Sequence, residues 1–106
     1  MPKYLVRASL SQDALKGTLK DGGTKRREVV TGLCRSLGGS VEAFYYAFGE
    51  SDIYAIFDMP DNVSAAAASV TVTAAGVGHV AVTVLITPEE MDQVAQKHAD
   101  YRAPGA

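Results

Sequence analysis

Apolar and polar positions alternate along four segments of the chain, and this period of two predicts four β-strands. We expect the strands over residues 2–9, 40–48, 52–59 and 79–86. The two central segments are rich in β-branched and aromatic side chains, and only a short Gly49-Glu50-Ser51 turn separates them. The pattern therefore predicts a hairpin in the middle of the chain.

Helical spacing predicts the connections between these strands. Residues 24–37 place apolar side chains on one stripe and end at two glycines, which predicts a helix. Residues 11–20 have a weaker stripe and predict a short helix or a turn. Residues 63–75 begin with alanines and continue with a Val-Thr run, so helix and strand signals compete; the capping residues before them favour a helix. Thr87-Pro88-Glu89-Glu90 predicts the start of a last helix through a capping box.

The order strand, helix, strand, strand, helix, strand is that of the α+β ferredoxin-like βαββαβ fold, here with an extra C-terminal helix. It predicts a four-stranded antiparallel sheet with the helices on one face, because crossover connections are right-handed. Residues 1–100 are expected to form one domain, and residues 101–106 a flexible tail.

Simple alternation assigns the strand side chains to two faces. The side chains expected to face the helices are Tyr4, Val6, Ala8, Val41, Ala43, Tyr45, Ala47, Ile53, Ala55, Phe57, Val80, Val82 and Val84. Those expected on the open face are Leu5, Arg7, Glu42, Phe44, Tyr46, Phe48, Tyr54, Ile56, His79, Thr83 and Leu85. Three aromatic residues from one strand make an unusually apolar solvent face, which predicts face-to-face packing of two sheets in a homodimer.

The composition and charge of the chain restrict the classes of protein to which it could belong. The chain has 106 residues, 47% of them hydrophobic and 21% charged, which is typical of one globular domain. A net charge of −2 argues against nucleic-acid binding. The only cysteine, Cys34, permits no intrachain disulfide and lies in an apolar stripe, which predicts a buried thiol rather than a reactive one. We find no signal peptide or membrane span and expect a cytoplasmic protein.

The first candidate site is a pocket on the predicted open face. Apolar walls with a few polar groups are typical of small-molecule pockets, and His79 could act there as an acid or base. The alternative is a plain dimer interface with polar groups at its rim. The predicted pocket residues are Arg7, Glu42, Tyr46, Tyr54 and His79.

A second candidate is an anion site at Gly22, Gly23, Thr24 and Arg27, where a helix begins with basic residues that its dipole disfavours. A solvated glycine turn is the simpler interpretation. Asp52, Asp58 and Asp61 could bind a hard cation, but hairpin and helix-capping roles explain Asp52 and Asp61 better. We therefore predict no metal and no cofactor.

Several segments together resemble the GYD-domain proteins, which are small bacterial proteins without an assigned activity. The segments are Lys3-Tyr4-Leu5, Leu19 to Thr24 with Arg27, Gly38-Gly39, Val41 to Gly49, Asp52, Pro60-Asp61-Asn62 and Leu85 to Glu90. The resemblance covers residues 2–97. Of the Gly-Tyr-Asp signature, Gly49 and Asp52 remain, and Ser51 takes the place of the tyrosine. The resemblance implies kinship with dimeric α/β-barrel proteins, which include monooxygenases, isomerases and small-molecule sensors.

Three functions remain open at this point. The favoured one is a homo-oligomeric protein that binds a small molecule at or beside the sheet-face interface. The alternatives are a cofactor-independent monooxygenase or isomerase that uses His79 with Tyr46 or Tyr54, and a purely structural subunit. Neither the ligand nor the oligomer size beyond a dimer follows from the residues.

Overall fold

The computed structural model describes residues 1–105. Its elements follow the predicted order, with α1 as a full helix. They are β1 (Lys3–Leu10), α1 (Gln12–Asp21), α2 (Gly23–Ser36), β2 (Ser40–Tyr46), β3 (Ile53–Asp58), α3 (Asn62–Ala74), β4 (Gly78–Leu85) and α4 (Pro88–Gln96).

The four strands form one antiparallel sheet in the order β2-β3-β1-β4. The buried core lies on one face of this sheet, where α2 contributes Val30 and Cys34 and α3 contributes Ala65 and Ala68. The predicted α+β ferredoxin-like fold, with its helices on one face, is therefore confirmed.

Two helices, α1 and α2, lie between β1 and β2. The Ser11 side chain accepts a hydrogen bond from the Ala14 amide at 3.1 Å and so caps α1. Gly22, at φ +84°, ends α1 and begins α2, because this backbone conformation costs glycine little. The segment where the pattern left helix and turn open is a ten-residue helix.

The segment before β4, where helix and strand signals compete, forms the helix α3. Asp61 caps α3 by accepting a hydrogen bond from the Ser64 amide at 2.8 Å, and this bond holds the pKa of Asp61 below its usual value. The Thr73 hydroxyl donates to the Ser69 carbonyl at 2.8 Å, so the β-branched residues are accommodated inside the helix. The predicted capping role of Asp61 is confirmed.

The C-terminal helix α4 begins at the predicted capping box. Thr87 accepts from the Glu90 amide at 3.0 Å, and the Glu90 carboxylate accepts from the Thr87 amide at 2.9 Å. All nine residues of α4 are nevertheless exposed. Residues 101–105 form neither helix nor strand, and Ala106, the last residue of the predicted tail, lies outside the described residues.

Candidate functional site

A β-bulge in β2 changes which face its aromatic side chains occupy. Val41 lies opposite Phe57, but the register then shifts, and Ala43 lies opposite Ile56 and Phe44 opposite Ala55. One extra residue moves every later side chain to the other face. The prediction that Phe44 and Tyr46 face the open side of the sheet is therefore wrong, and Ala43 and Tyr45 lie there instead.

Tyr46 is tied to the start of α2. Its hydroxyl donates a hydrogen bond to the Gly23 carbonyl at 3.0 Å, and its ring packs at the position where a Gly23 side chain would begin. The Phe44 and Tyr46 rings meet edge-to-face at 5.6 Å between centroids. Partial burial raises the pKa of Tyr46, and the charge of Arg26 opposes that rise. Phe48, the third member of the predicted aromatic row, lies fully exposed beyond the end of β2.

The open face keeps four of the five predicted pocket residues. Arg7 lies directly opposite Tyr54, and His79 opposite Ser9, so these residues share one end of the face. Glu42 lies toward the other end, where the Lys3 ammonium donates to it at 3.1 Å. This bond is the main cause of the raised pKa of Lys3. Tyr46 is absent from the open face, and the structure does not bring the predicted pocket residues together as one group.

The predicted anion site lies where α2 starts. No side chain caps this helix, and its first turn holds no acidic residue. Gly23, Thr24 and Arg27 line a shallow groove together with Phe44 and Tyr46, which we call the α2–β2 groove. Anion binding there stays a prediction.

A cleft that the sequence did not indicate lies between the sheet and the helices α2 and α3; we call it the helix-side cleft. It contains about 590 Å³ of space free of protein atoms, including its opening to solvent. The lining residues are Tyr4, Val6, Ala8, Leu10, Arg26, Val30, Phe44, Ile53, Ala55, Phe57, Ala65, Ala68, Ser69, Val72, Val77, Val80 and Val82. The one available signal was the Ala65–Ala68 run, because alanines on a covering helix leave space above a sheet.

The polar groups of the helix-side cleft are few. Tyr4 is buried, and its hydroxyl donates to the Asn62 side chain at 2.6 Å, so it is already satisfied. Ser69 and the partly exposed Arg26 are the other polar side chains of the lining. Arg26 is its only cationic group, and no described carboxylate lies within ion-pair distance of it. The arrangement suits an apolar molecule with one acidic end.

A comparison with protein-family models identifies the family of the chain. Residues 4–95 match the GYD domain model. The chain belongs to the GYD-domain family. No curated protein and no solved structure matches it.

Asp52 ties the central hairpin of this family member to the end of β1. The Asp52 carboxylate accepts a hydrogen bond from the Leu10 amide at 2.7 Å, and its own amide donates to the Ala8 carbonyl at 2.9 Å. Ser51, next to Asp52, is buried. The structural interpretation of Asp52 is thus confirmed, although its carboxylate bonds to the end of β1 rather than to a turn amide.

Among the described residues of this GYD-domain protein, no group of three metal-binding side chains is found. Nor does any helix within residues 1–105 have the length and apolar character needed to cross a membrane.

Cys34 is fully buried, and its burial raises the pKa of the thiol to about 11. We expect the native protein to react with Ellman's reagent at pH 8 far more slowly than the protein unfolded in guanidinium chloride, because only the thiolate attacks. Absorbance at 412 nm measures the reaction. Fast labelling of the native protein would contradict the buried, protonated thiol.

Proposed function

We propose that this protein binds a small, mainly apolar molecule with an acidic group in the helix-side cleft, and that it works as a homodimer joined through the open sheet face. The observation that carries the proposal is an apolar cleft whose only cationic group, Arg26, has no described carboxylate within ion-pair distance.

The lining of the helix-side cleft supports a ligand. Ligand pockets are lined mainly by apolar side chains with a few polar groups, and the lining of this cleft has that composition. Water gains few hydrogen bonds against such a lining, so an apolar molecule is the better occupant.

Arg26 supports an acidic group on that molecule. A guanidinium presents several fixed N–H donors and binds carboxylates or sulfonates through paired hydrogen bonds. Its partly exposed position at the cleft places this charge where the polar end of a ligand would meet solvent.

Acid–base catalysis has less support. The cleft lining contains no carboxylate, imidazole or thiol group. His79 and Tyr46 lie on opposite faces of the sheet, and His79 is separated from Tyr54 by the intervening strand β1. Two strand spacings amount to about 10 Å, too far for a hydrogen bond between them. The open-face residues therefore do not form the pairs that the enzymatic alternative required.

The open sheet face supports the homodimer. Leu5, Tyr54, Ile56 and Leu85 lie half-buried on it, and the core helices cover only the other face. A two-fold axis would bring this apolar surface of one copy against the same surface of another, which is the usual geometry of a homodimer. The Arg7–Tyr54 pair lies on the two central strands and would face the second sheet in this arrangement.

Native mass spectrometry and dye binding test the proposal. We expect a dimeric mass, and saturable binding of one anilinonaphthalene sulfonate per protomer, since this dye combines aromatic rings with one anionic group. Arg26→Ala should weaken dye binding at least about tenfold, because a hydrogen bond to a charged group contributes about 1.5–3 kcal/mol and every 1.4 kcal/mol is a factor of about ten.

Lys25→Ala is the matched control, because Lys25 precedes Arg26 on the same helix and does not line the cleft. Equal effects of the two substitutions, or no saturable binding, would contradict the ligand proposal. A dimer that binds neither dye nor any retained compound would instead support the purely structural role.

A further inference from the structure

We propose that α4 docks onto a second copy of this chain, with its apolar stripe in the α2–β2 groove and its carboxylates beside the basic side chains of α2. This inference rests on the homodimer proposed above. It names α4 as a helix that would add a second contact between the two copies.

The helix α4 has an apolar stripe that nothing in its own protomer covers. Met91, Val94 and Ala95 follow the spacing of one helical face, and Met91 and Val94 are 51% and 53% exposed. Asp92 lies beside the stripe, and its side chain forms no hydrogen bond or ion pair with any described residue. An amphipathic helix normally buries its apolar face.

A helix of this length needs such a contact. Isolated helices shorter than about 12–15 residues are marginal in water, and α4 has nine residues. Its capping box and N-terminal proline favour the helical start, but local signals contribute only about 1 kcal/mol each. Packing must supply the rest.

The protomer itself holds α4 away from its body. Only Ile86 and Thr87 connect β4 to α4, and the molecule extends 57 Å in one direction against 33 and 22 Å in the others. Its radius of gyration is 16.9 Å, whereas a compact chain of this length has about 13 Å. The helix is therefore placed to meet another molecule.

The α2–β2 groove offers a complementary surface. Phe44 and the 41%-exposed Tyr46 form its apolar wall, and Arg27 and Thr24 border it. An apolar stripe of little more than one turn, like that of α4, fits beside two aromatic rings.

Charge complementarity selects a second copy of this chain as the occupant. Helix α4 carries three carboxylates and no basic residue, whereas α2 carries four basic residues and one acidic residue. The basic first turn of α2 is unfavourable next to its own helix dipole and contains no acidic residue itself. Carboxylates from α4 of the second copy would place acidic groups next to these basic side chains.

Sedimentation equilibrium of the full chain tests the docking. Val94→Asp should raise the dimer dissociation constant at least tenfold, because it places a charge in the proposed apolar contact. Leu19→Asp is the control: Leu19 is 88% exposed on α1, outside the groove, and should leave the constant unchanged. Circular dichroism should show the same fold for both. Equal dissociation constants for Val94→Asp and the parent would overturn the proposal.

A charge exchange tests the pairing itself. Asp92→Arg and Arg27→Asp should each weaken the dimer about fivefold to tenfold, and the double variant should recover most of the parental affinity. Additive losses in the double variant would overturn the pairing of α4 with α2.

The two proposals fail separately. Leu5→Glu, on the open face, should dissociate the dimer if the sheets pack face to face. Dissociation by Leu5→Glu without any effect of Val94→Asp would refute α4 docking and leave the sheet interface standing. The reverse result would refute the sheet interface alone.

Discussion

Replacing Gly78 by alanine is expected to lower the free energy of unfolding by about 3–4 kcal/mol, near the upper end for single substitutions. Gly78 begins β4 opposite Leu10, at φ +155°, a conformation that side chains disfavour. A Cβ atom there would overlap the Ser9 carbonyl and lie 2.9 Å from the Leu10 Cα. Because both neighbours are backbone atoms, the two strands would have to separate.

Urea unfolding followed by circular dichroism measures this effect. Gly17→Ala is the control, since Gly17 lies inside α1 and nothing approaches within 4 Å of its added Cβ. That substitution should raise stability by about 0.5–1 kcal/mol, because alanine favours helix over glycine. A Gly78→Ala variant as stable as the parent would show that the close approach of β1 and β4 is wrong.

Replacing Asp52 by alanine is expected to lower the free energy of unfolding by about 2–3 kcal/mol. The Asp52 carboxylate accepts the Leu10 amide at 2.7 Å, in a part-buried position. Removing the acceptor leaves that amide unsatisfied, and bonds to charged groups contribute more than neutral ones. The two backbone bonds of Asp52, with Ala8 and Ala47, tie the same loop to β1 and β2 and would be weakened with it.

Asp52→Asn should lose less, because its side-chain oxygen can still accept the Leu10 amide. Glu50→Ala is the control from the same loop, since Glu50 is exposed and has no hydrogen bond to the described residues. We expect thermal unfolding to rank the variants as Glu50→Ala, Asp52→Asn and Asp52→Ala, from most to least stable. An Asp52→Ala variant equal to Glu50→Ala would contradict a structural role for this signature residue.

The predicted and observed folds agree where the signals were local. Strand alternation, the Thr87 capping box and the Asp61 cap each involve residues within four positions of one another, and all three are present. The same holds for Cys34, whose place in an apolar stripe correctly indicated a buried thiol.

The candidate site was predicted less well, because one inserted residue cannot be seen in a periodic pattern. Val41 was assigned to the correct face, but the bulge before Ala43 reversed the assignment of Phe44, Tyr45 and Tyr46. Tyr46 therefore lies on the opposite face of the sheet from the other predicted pocket residues. Arg7 and Tyr54 are neighbours, as alternation implies.

The order of strands and helices, their caps and the family kinship follow from the sequence by itself, since short-range periodicity and backbone preferences determine them. The helix-side cleft, the face on which Phe44 lies and the isolation of α4 were decided only by the tertiary structure. These features depend on how far α2 and α3 stand apart above the sheet, on one bulge in β2 and on the direction in which the chain leaves β4. No local pattern of residues encodes such distances and directions.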